Sequence, residues 1–289
     1  MFEYDVIAPL DIVEHGVRRT DFAAIHDISY RSPKDGRVPA FLVTPLAKGR
    51  FAGLVLMHWG FGDRSSMLDE ALLYARAGAV CILPDGFPWH RSERAVTDFS
   101  VAEGVHDAYV QIVIDLHRAI DILFSRLDVS SKRIGYVGHS LGATVGGALA
   151  GPCERVSAYV LMDGYPQVSL DERSIRKNFP GREGLFADLN AVRYIGLASP
   201  SAVFFQFARR SEFITERMAE QWFKAAKDPK DLKWYDTDHA LDLNAFRDRA
   251  EWLHHRIGLP PVDFSWLGAR TTLLPESDLK KYRETVAKR

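Results

Sequence analysis

The sequence predicts an α/β fold in which helices flank a doubly wound, mainly parallel sheet. Short apolar runs alternate along the chain with longer stretches whose apolar residues recur at helical intervals. The chain has 289 residues, of which 47% are hydrophobic and 26% charged, and these proportions are ordinary for one large globular domain. We expect a single domain over residues 1–261 and a partly helical tail over residues 262–289.

The first half of the chain carries the signals of a hairpin followed by a strand-helix-strand unit. Residues 1–21 are mixed and charged, so we expect them on the outside of the domain. A turn with Pro and Asp-Gly chemistry at residues 32–36 joins two strands of an edge hairpin. Ser66, with Asp69 three residues on, is predicted to open a helix that ends at Gly78. The predicted elements are strands 23–30, 38–44, 53–57 and 79–83, and helices 66–78 and 105–127.

The second half continues the alternation, with one long interruption. Residues 165–200 are poorly periodic, and we expect them to form either a lid over a site or surface decoration. The last long helix is stopped by Gly258 and Pro260. The predicted elements are strands 134–137, 156–162, 202–207 and 232–235, and helices 143–150, 215–227 and 243–257.

A Gly-X-Ser-X-Gly motif, Gly138-His139-Ser140-Leu141-Gly142, ends one of the apolar runs and leads into small, helix-compatible residues. A nucleophile on a sharp strand-to-helix turn has close neighbours, and glycines two residues before and after it relieve the crowding. We therefore predict that Ser140 is a nucleophile. The amide of Leu141 would lie at a helix N-terminus, where it could form half of an oxyanion hole.

Two loops at predicted strand ends can supply the partners of this serine. His239 lies four residues after the strand 232–235, just before the last long helix, and is our candidate general base. Gly60 follows the strand 53–57, and its amide is our candidate for the second oxyanion donor. His58 and His139 flank the predicted site and are expected to be walls or hydrogen-bonding spacers.

These residues together resemble the α/β-hydrolase superfamily, and the order of the elements resembles its dienelactone hydrolase-like branch. The resemblance rests on the Ser140 motif, the loop from His58 to Asp63 and His239, and it covers about residues 22–258. It implies a Ser-acid-His hydrolase that needs no cofactor. Dienelactone hydrolases carry cysteine as nucleophile, so the serine of this chain points toward simpler ester substrates.

The acid of the implied triad is not where that branch usually has it. The branch carries its acid in a Gly-X-X-Asp-X-Phe-Val pattern, whereas residues 208–214 read Ala-Arg-Arg-Ser-Glu-Phe-Ile, with Ser211 in the acid's place. Either Glu212, one residue on, reaches His239, or the acid has moved to Asp163 at the end of the strand after the serine. The histidine needs a carboxylate that accepts its Nδ1–H, and this carboxylate can come from any strand, so both alternatives stay open.

We expect a serine hydrolase that acts on a carboxylic ester or related acyl compound of small size. The alternatives are a non-catalytic protein that binds a ligand in the old site, and an acyltransferase or a carbon–carbon bond hydrolase with the same triad. The Ser211 substitution is what makes the non-catalytic alternative credible.

Several partner classes are not indicated by the composition. The formal net charge of -1 does not suggest nucleic acid, and Cys81 and Cys153 do not suggest a disulfide framework. No Cys/His cluster indicates a metal. The sequence has neither a signal peptide nor the ~18 apolar residues of a membrane span, so we expect no membrane association and a cytoplasmic location. Its oligomeric state is left open, a homodimer included.

Overall fold

A nine-stranded sheet forms the centre of the computed structural model, which describes residues 1–86, 102–151, 153–167 and 177–287. The strands are β1 (Val13–Arg19), β2 (Ala23–Arg31), β3 (Arg37–Pro45), β4 (Phe51–Met57), β5 (Ala79–Pro84), β6 (Val129–His139), β7 (Ala158–Met162), β8 (Ala202–Ala208) and β9 (Lys230–Tyr235). Their order is β1-β2-β3-β5-β4-β6-β7-β8-β9. The pairs β1/β2, β2/β3 and β3/β5 are antiparallel, and the six strands from β5 to β9 in this order run parallel. The predicted fold class is confirmed.

Helices cover both faces of this sheet and bury its apolar side chains. Those of the described residues are α1 (Leu68–Ala77), α2 (Ala102–Ser125), α3 (Leu141–Ala150), α4 (Ala191–Ile195), α5 (Glu216–Ala225), α6 (Leu243–Ile257) and α7 (Glu276–Val286). Helices α1 and α6 pack on one face, and α2 to α5 pack on the other. The central parallel strands are buried on both sides and therefore read as continuous apolar runs. None of the described helices combines the length and the apolar character needed to cross a membrane.

The parallel strands end at one edge of the sheet, and the loops that follow them collect the polar residues of interest. This edge lies beyond the C-terminal residues of the strands: Met57 of β4, His139 of β6, Met162 of β7, Ala208 of β8 and Tyr235 of β9. Ligands of open α/β sheets bind outside these carboxyl ends, because the loops there converge.

The start of α1 differs from its prediction. The helix begins at Leu68, and its N-cap residue, Met67, makes no side-chain cap. Ser66 does not act as the cap because its Oγ accepts a hydrogen bond from the amide of Asp63 at 3.0 Å, which fixes the preceding turn instead.

Strand β1 was not predicted. Most of the N-terminal segment lies on the outside, as expected, but Phe2 is buried and residues 13–19 pair with β2 as the edge strand of the sheet. Every residue of β1 is exposed. A strand exposed on both faces needs no apolar alternation, so periodicity gives no signal for it.

The long segment between β7 and β8 packs against the helices of one face. Residues 168–176 lie outside the described part, and a 3₁₀ helix at Glu183–Leu189 precedes α4. Phe186 and Leu189 are buried, and His106 of α2 lies 3.2 Å from the Asp188 carboxylate. The expectation that residues 165–200 act as a lid stays a prediction, as do the domain limits.

Candidate active site

Ser140 lies on a strained turn between β6 and α3. Its φ of 55° and ψ of -110° fall in a region that residues other than glycine rarely adopt. An added Cβ at Gly142 would lie 2.1 Å from the Met57 carbonyl oxygen, and one at Gly138 would lie 2.4 Å from the Gly142 carbonyl. Both glycines are therefore required by close backbone approach. The predicted strand-turn-helix setting of Ser140 is confirmed.

The loop after β4 lies against this turn. The amide of Gly142 donates to the His58 carbonyl at 3.1 Å, and an added Cβ at Gly60 would lie 3.9 Å from the Cβ of Leu141. Leu141 is the first residue of α3, so its amide has no acceptor within the helix. Within the described residues, neither the Gly60 nor the Leu141 amide donates to a protein acceptor. The two predicted oxyanion donors therefore have N–H groups that make no hydrogen bond within the described part of the protein.

His239 is paired with Asp163 beside the turn. Its Nδ1 lies 2.6 Å from Oδ2 of Asp163, and the two side chains are 3% and 0% exposed. Because a carboxylate can only accept, Nδ1 carries the proton and Nε2 is left as a proton acceptor. Asp163 follows Met162, whose carbonyl accepts the amide of Ser140 at 2.8 Å, so nucleophile and acid candidates leave neighbouring strands.

Two further donors surround the Asp163 carboxylate. Oδ1 accepts the amide of Ala208 at 3.1 Å, and Oδ2 accepts the hydroxyl of Ser211 at 2.6 Å. A buried carboxylate is stable only when such donors replace the water it has lost. Ser211, which stands in the acid's usual place in the sequence, therefore donates to the carboxylate that follows the neighbouring strand β7.

Glu212 lies in a different contact. Its Oε2 accepts the hydroxyl of Tyr282 at 2.6 Å, whereas Nδ1 of His239 meets Asp163. Of the two carboxylates left open by the sequence, Asp163 is the one placed on the histidine.

Neighbouring rings hold the imidazole of His239 from several sides. The ring centroids of Phe213, His139 and Tyr282 lie 4.6, 5.0 and 6.1 Å from that of His239. Nε2 of His139 donates to the His239 carbonyl at 2.8 Å. Nδ1 of His58 donates to the Trp59 carbonyl at 2.6 Å, and its Nε2 accepts the amide of Gly86 at 3.0 Å. His58 and His139 thus act as the predicted spacers.

The burial of His139 and His117 should make the stability of the fold depend on pH. It lowers the pKa of His139 to about 3 and that of His117 to about 4. An unfolded histidine has a pKa of ~6.5, so between that value and the folded pKa the unfolded state binds more protons. The free energy of unfolding should therefore fall as pH drops from 7 to 5, by at most about 1.4 kcal/mol per pH unit for each histidine below pH 6.5.

Urea unfolding at a series of pH values checks this expectation. His117 lies on α2, and within the described residues its Nε2 has no hydrogen-bond partner. His117→Gln should flatten the dependence on pH, whereas His255→Gln, an exposed change on α6, should leave it as it is. If the free energy of unfolding changes equally with pH in wild type and in His117→Gln, His117 is not a source of the pH dependence.

The C-terminal helix α7 is the part of the site that sequence reasoning missed. Asp278 accepts the Trp59 indole N–H at 2.9 Å, and Tyr282 lies against His239. No motif marks these residues; the one signal is their spacing of four, which places them on one helix face. No group of three or more His, Cys, Asp or Glu side chains among the described residues could hold a metal ion.

Comparisons with known sequences point to one family. A sequence profile described as "Alpha/beta hydrolase family" matches residues 54–285, which is most of the chain. A search of curated proteins finds no match.

Solved structures with the same fold include several esterases. An acetyl xylan esterase from Paenibacillus sp. R4 superposes with a TM-score of 0.76 at 16% identity, covering 86% of this chain and 89% of that one. Acetyl xylan esterase 1 from Thermoanaerobacterium sp. JW/SL YS485 gives 0.72 at 17%, covering 85% and 87%. A cold-adapted esterase from an Arctic intertidal metagenomic library gives 0.62 at 15%, covering 84% and 97%. At identities this low, the superpositions establish a shared fold and nothing more.

Proposed function

Because the chain belongs to the alpha/beta hydrolase family, we propose that it is a serine hydrolase that cleaves a carboxylic ester or related acyl substrate. The observation that carries the proposal is the buried Asp163–His239 pair beside the strained turn of Ser140. A nucleophile, a base with its acceptor nitrogen free and an acid that orients the base are the parts needed for acyl transfer.

The proposed first half-reaction is attack by Ser140 Oγ on the acyl carbon. Nε2 of His239 takes the hydroxyl proton, and Asp163 stabilises the imidazolium through Nδ1. The carbonyl oxygen becomes an oxyanion that the amides of Gly60 and Leu141 bind. The protonated His239 then gives its proton to the leaving alcohol, and an acyl-enzyme on Ser140 remains.

The proposed second half-reaction repeats these roles with water. His239 removes a proton from the water as it attacks the acyl-enzyme, and the same two amides bind the second oxyanion. The proton returns to Ser140 as the carboxylic acid leaves. No metal or cofactor has a role in this scheme.

We propose the substrate class from the serine nucleophile and from the esterases that share the fold. The structures with the same fold include esterases, two of them acetyl xylan esterases, which supports a small acyl group on an alcohol. Transfer to an alcohol other than water, or cleavage of a carbon–carbon bond, would use the same three residues. The cytoplasmic location expected from the sequence stays a prediction.

Covalent labelling tests the proposal directly. A fluorophosphonate probe reacts with an activated serine, so we expect one adduct per chain, located on Ser140 by mass spectrometry of the digested protein. Heat-denatured protein serves as the control, because its serines are no longer activated and should remain unlabelled. A folded protein that neither reacts with the probe nor hydrolyses p-nitrophenyl acetate would support the non-catalytic ligand-binding alternative.

A further inference from the structure

Helix α7 returns the end of the chain to the carboxyl edge of the sheet. Asp278 and Tyr282 are four residues apart on it, so their side chains lie on one face. Both are buried, with 3% and 5% of their surface exposed. Most other residues of α7 are exposed, so this face is where the helix meets the domain.

The first half of this face contacts the loop that carries Gly60. Oδ2 of Asp278 accepts the Trp59 indole N–H at 2.9 Å, and the Lys281 ammonium donates to the Phe61 carbonyl at 3.3 Å. The same ammonium lies 3.5 Å from Asp278. The residues on both sides of Gly60 are therefore tied to α7 by polar contacts.

The second half of the face contacts the base. The Tyr282 ring lies 6.1 Å from the His239 ring at an interplanar angle of 29°, and 6.3 Å from the Phe213 ring. Its hydroxyl donates to Glu212 at 2.6 Å. Burial, together with the Glu212 carboxylate, raises the pKa of Tyr282, so the phenol keeps its proton and remains a donor.

We propose that α7 is a positioning element of the hydrolase site, in which Tyr282 holds the His239 ring in place and Asp278 holds the loop of Gly60. The inference rests on the proposed function. A buried carboxylate is costly unless it is paired. If α7 only had to pack against the domain, apolar side chains at positions 278 and 282 would stabilise that packing at least as well. Directional hydrogen bonds to the indole and to Glu212 fix both the depth and the rotation of the helix. One helix then sets the geometry of the oxyanion donor and the base together.

Variants of these two contacts separate positioning from simple packing. Tyr282→Phe keeps the ring and removes the bond to Glu212, and Asp278→Leu keeps the approximate size and removes the acceptor of the Trp59 indole N–H. We expect each variant to lower kcat for p-nitrophenyl acetate about tenfold and to leave KM within about twofold of wild type. A displaced catalytic group stabilises the transition state less, whereas binding of the substrate changes little. The exposed changes Lys280→Ala and Glu284→Ala on the same helix should leave both constants unchanged.

A double-variant cycle tests the anchor itself. If Tyr282 acts through Glu212, then Glu212→Ala should cost about as much kcat as Tyr282→Phe, and the double variant should cost no more than either. Active-site titration with the fluorophosphonate probe expresses kcat per competent site, so a partly unfolded variant does not imitate a positioning effect. Full additivity of the two changes contradicts the proposed anchor.

Hydrogen exchange provides a reading that does not depend on activity. Asp278→Leu should speed exchange in residues 58–62, and Tyr282→Phe should speed it in residues 236–241, because the loops they hold become freer to open. Unchanged exchange in both loops, or kcat per site within twofold of wild type in both variants, overturns the inference. A wild-type protein that fails to label at Ser140 overturns the proposed function instead, and the exchange result then still tells whether α7 orders these loops.

Discussion

Ser140→Ala should lower the turnover of p-nitrophenyl acetate by about 10³-fold or more, which corresponds to ~4 kcal/mol of transition-state stabilisation. Without the hydroxyl no acyl-enzyme can form, and the amides of Gly60 and Leu141 can stabilise only direct attack by water. Steady-state kinetics of the purified variant gives the measurement, with loss of the fluorophosphonate adduct as a second reading.

A serine far from the site provides the matched control for this change. Ser201 donates to the Val156 carbonyl at the opposite end of the sheet, at 2.7 Å, so Ser201→Ala removes a hydroxyl without touching Ser140. We expect Ser201→Ala to keep wild-type turnover per folded molecule. Near wild-type turnover in Ser140→Ala would rule out the proposed nucleophile.

Asp163→Asn should cost about 10³-fold or more in kcat, whereas Glu212→Gln should cost no more than about tenfold. Oδ1 of Asp163 accepts the Ala208 amide, so the asparagine oxygen will occupy that side. Its amide group then replaces Oδ2 and faces Nδ1 of His239 as a donor. The imidazole must accept there and carry its proton on Nε2, where it can no longer take the serine proton.

Glu212→Gln changes a carboxylate that contacts Tyr282 and leaves the Asp163–His239 pair intact. Its amide oxygen can still accept the Tyr282 hydroxyl, which limits the loss. Circular dichroism and thermal unfolding must show that Asp163→Asn is folded, because Asp163 is fully buried and its carboxylate anchors the end of β8. Equal turnover in Asp163→Asn and wild type would remove Asp163 from the triad, and a greater loss in Glu212→Gln would reverse the assignment.

The sequence predicts the framework because burial on both faces leaves a strong pattern. The continuous apolar runs of β4, β5, β7 and β8, and the glycines around Ser140, follow directly from packing and close approach. Strand β1 is exposed on every residue, so its pairing with β2 depends on backbone hydrogen bonds that side-chain pattern does not report.

The site is less predictable because its parts meet only in three dimensions. Asp163 and Glu212 both follow a strand of the parallel set, and which of them meets His239 depends on the neighbouring order of β7, β8 and β9 and on loop geometry. The contact of α7 with Trp59 spans more than two hundred residues and carries no motif. Sequence reasoning could name the candidate acids, but the choice between them needed the fold.

The hydrogen bond between Ser211 and Asp163 bears on how the acid of such a site can change strands during evolution. Their oxygens are 2.6 Å apart, so a carboxylate in place of Ser211 would have to share a proton with Asp163 or turn away from it. In this chain the space holds one carboxylate, which follows β7, and one donor, which follows β8. An exchange of the two roles takes paired substitutions, since each single step leaves two acids or none. A family alignment that looks for an acid at position 211 alone would find none in this chain, although Asp163, just after the neighbouring strand, contacts the histidine.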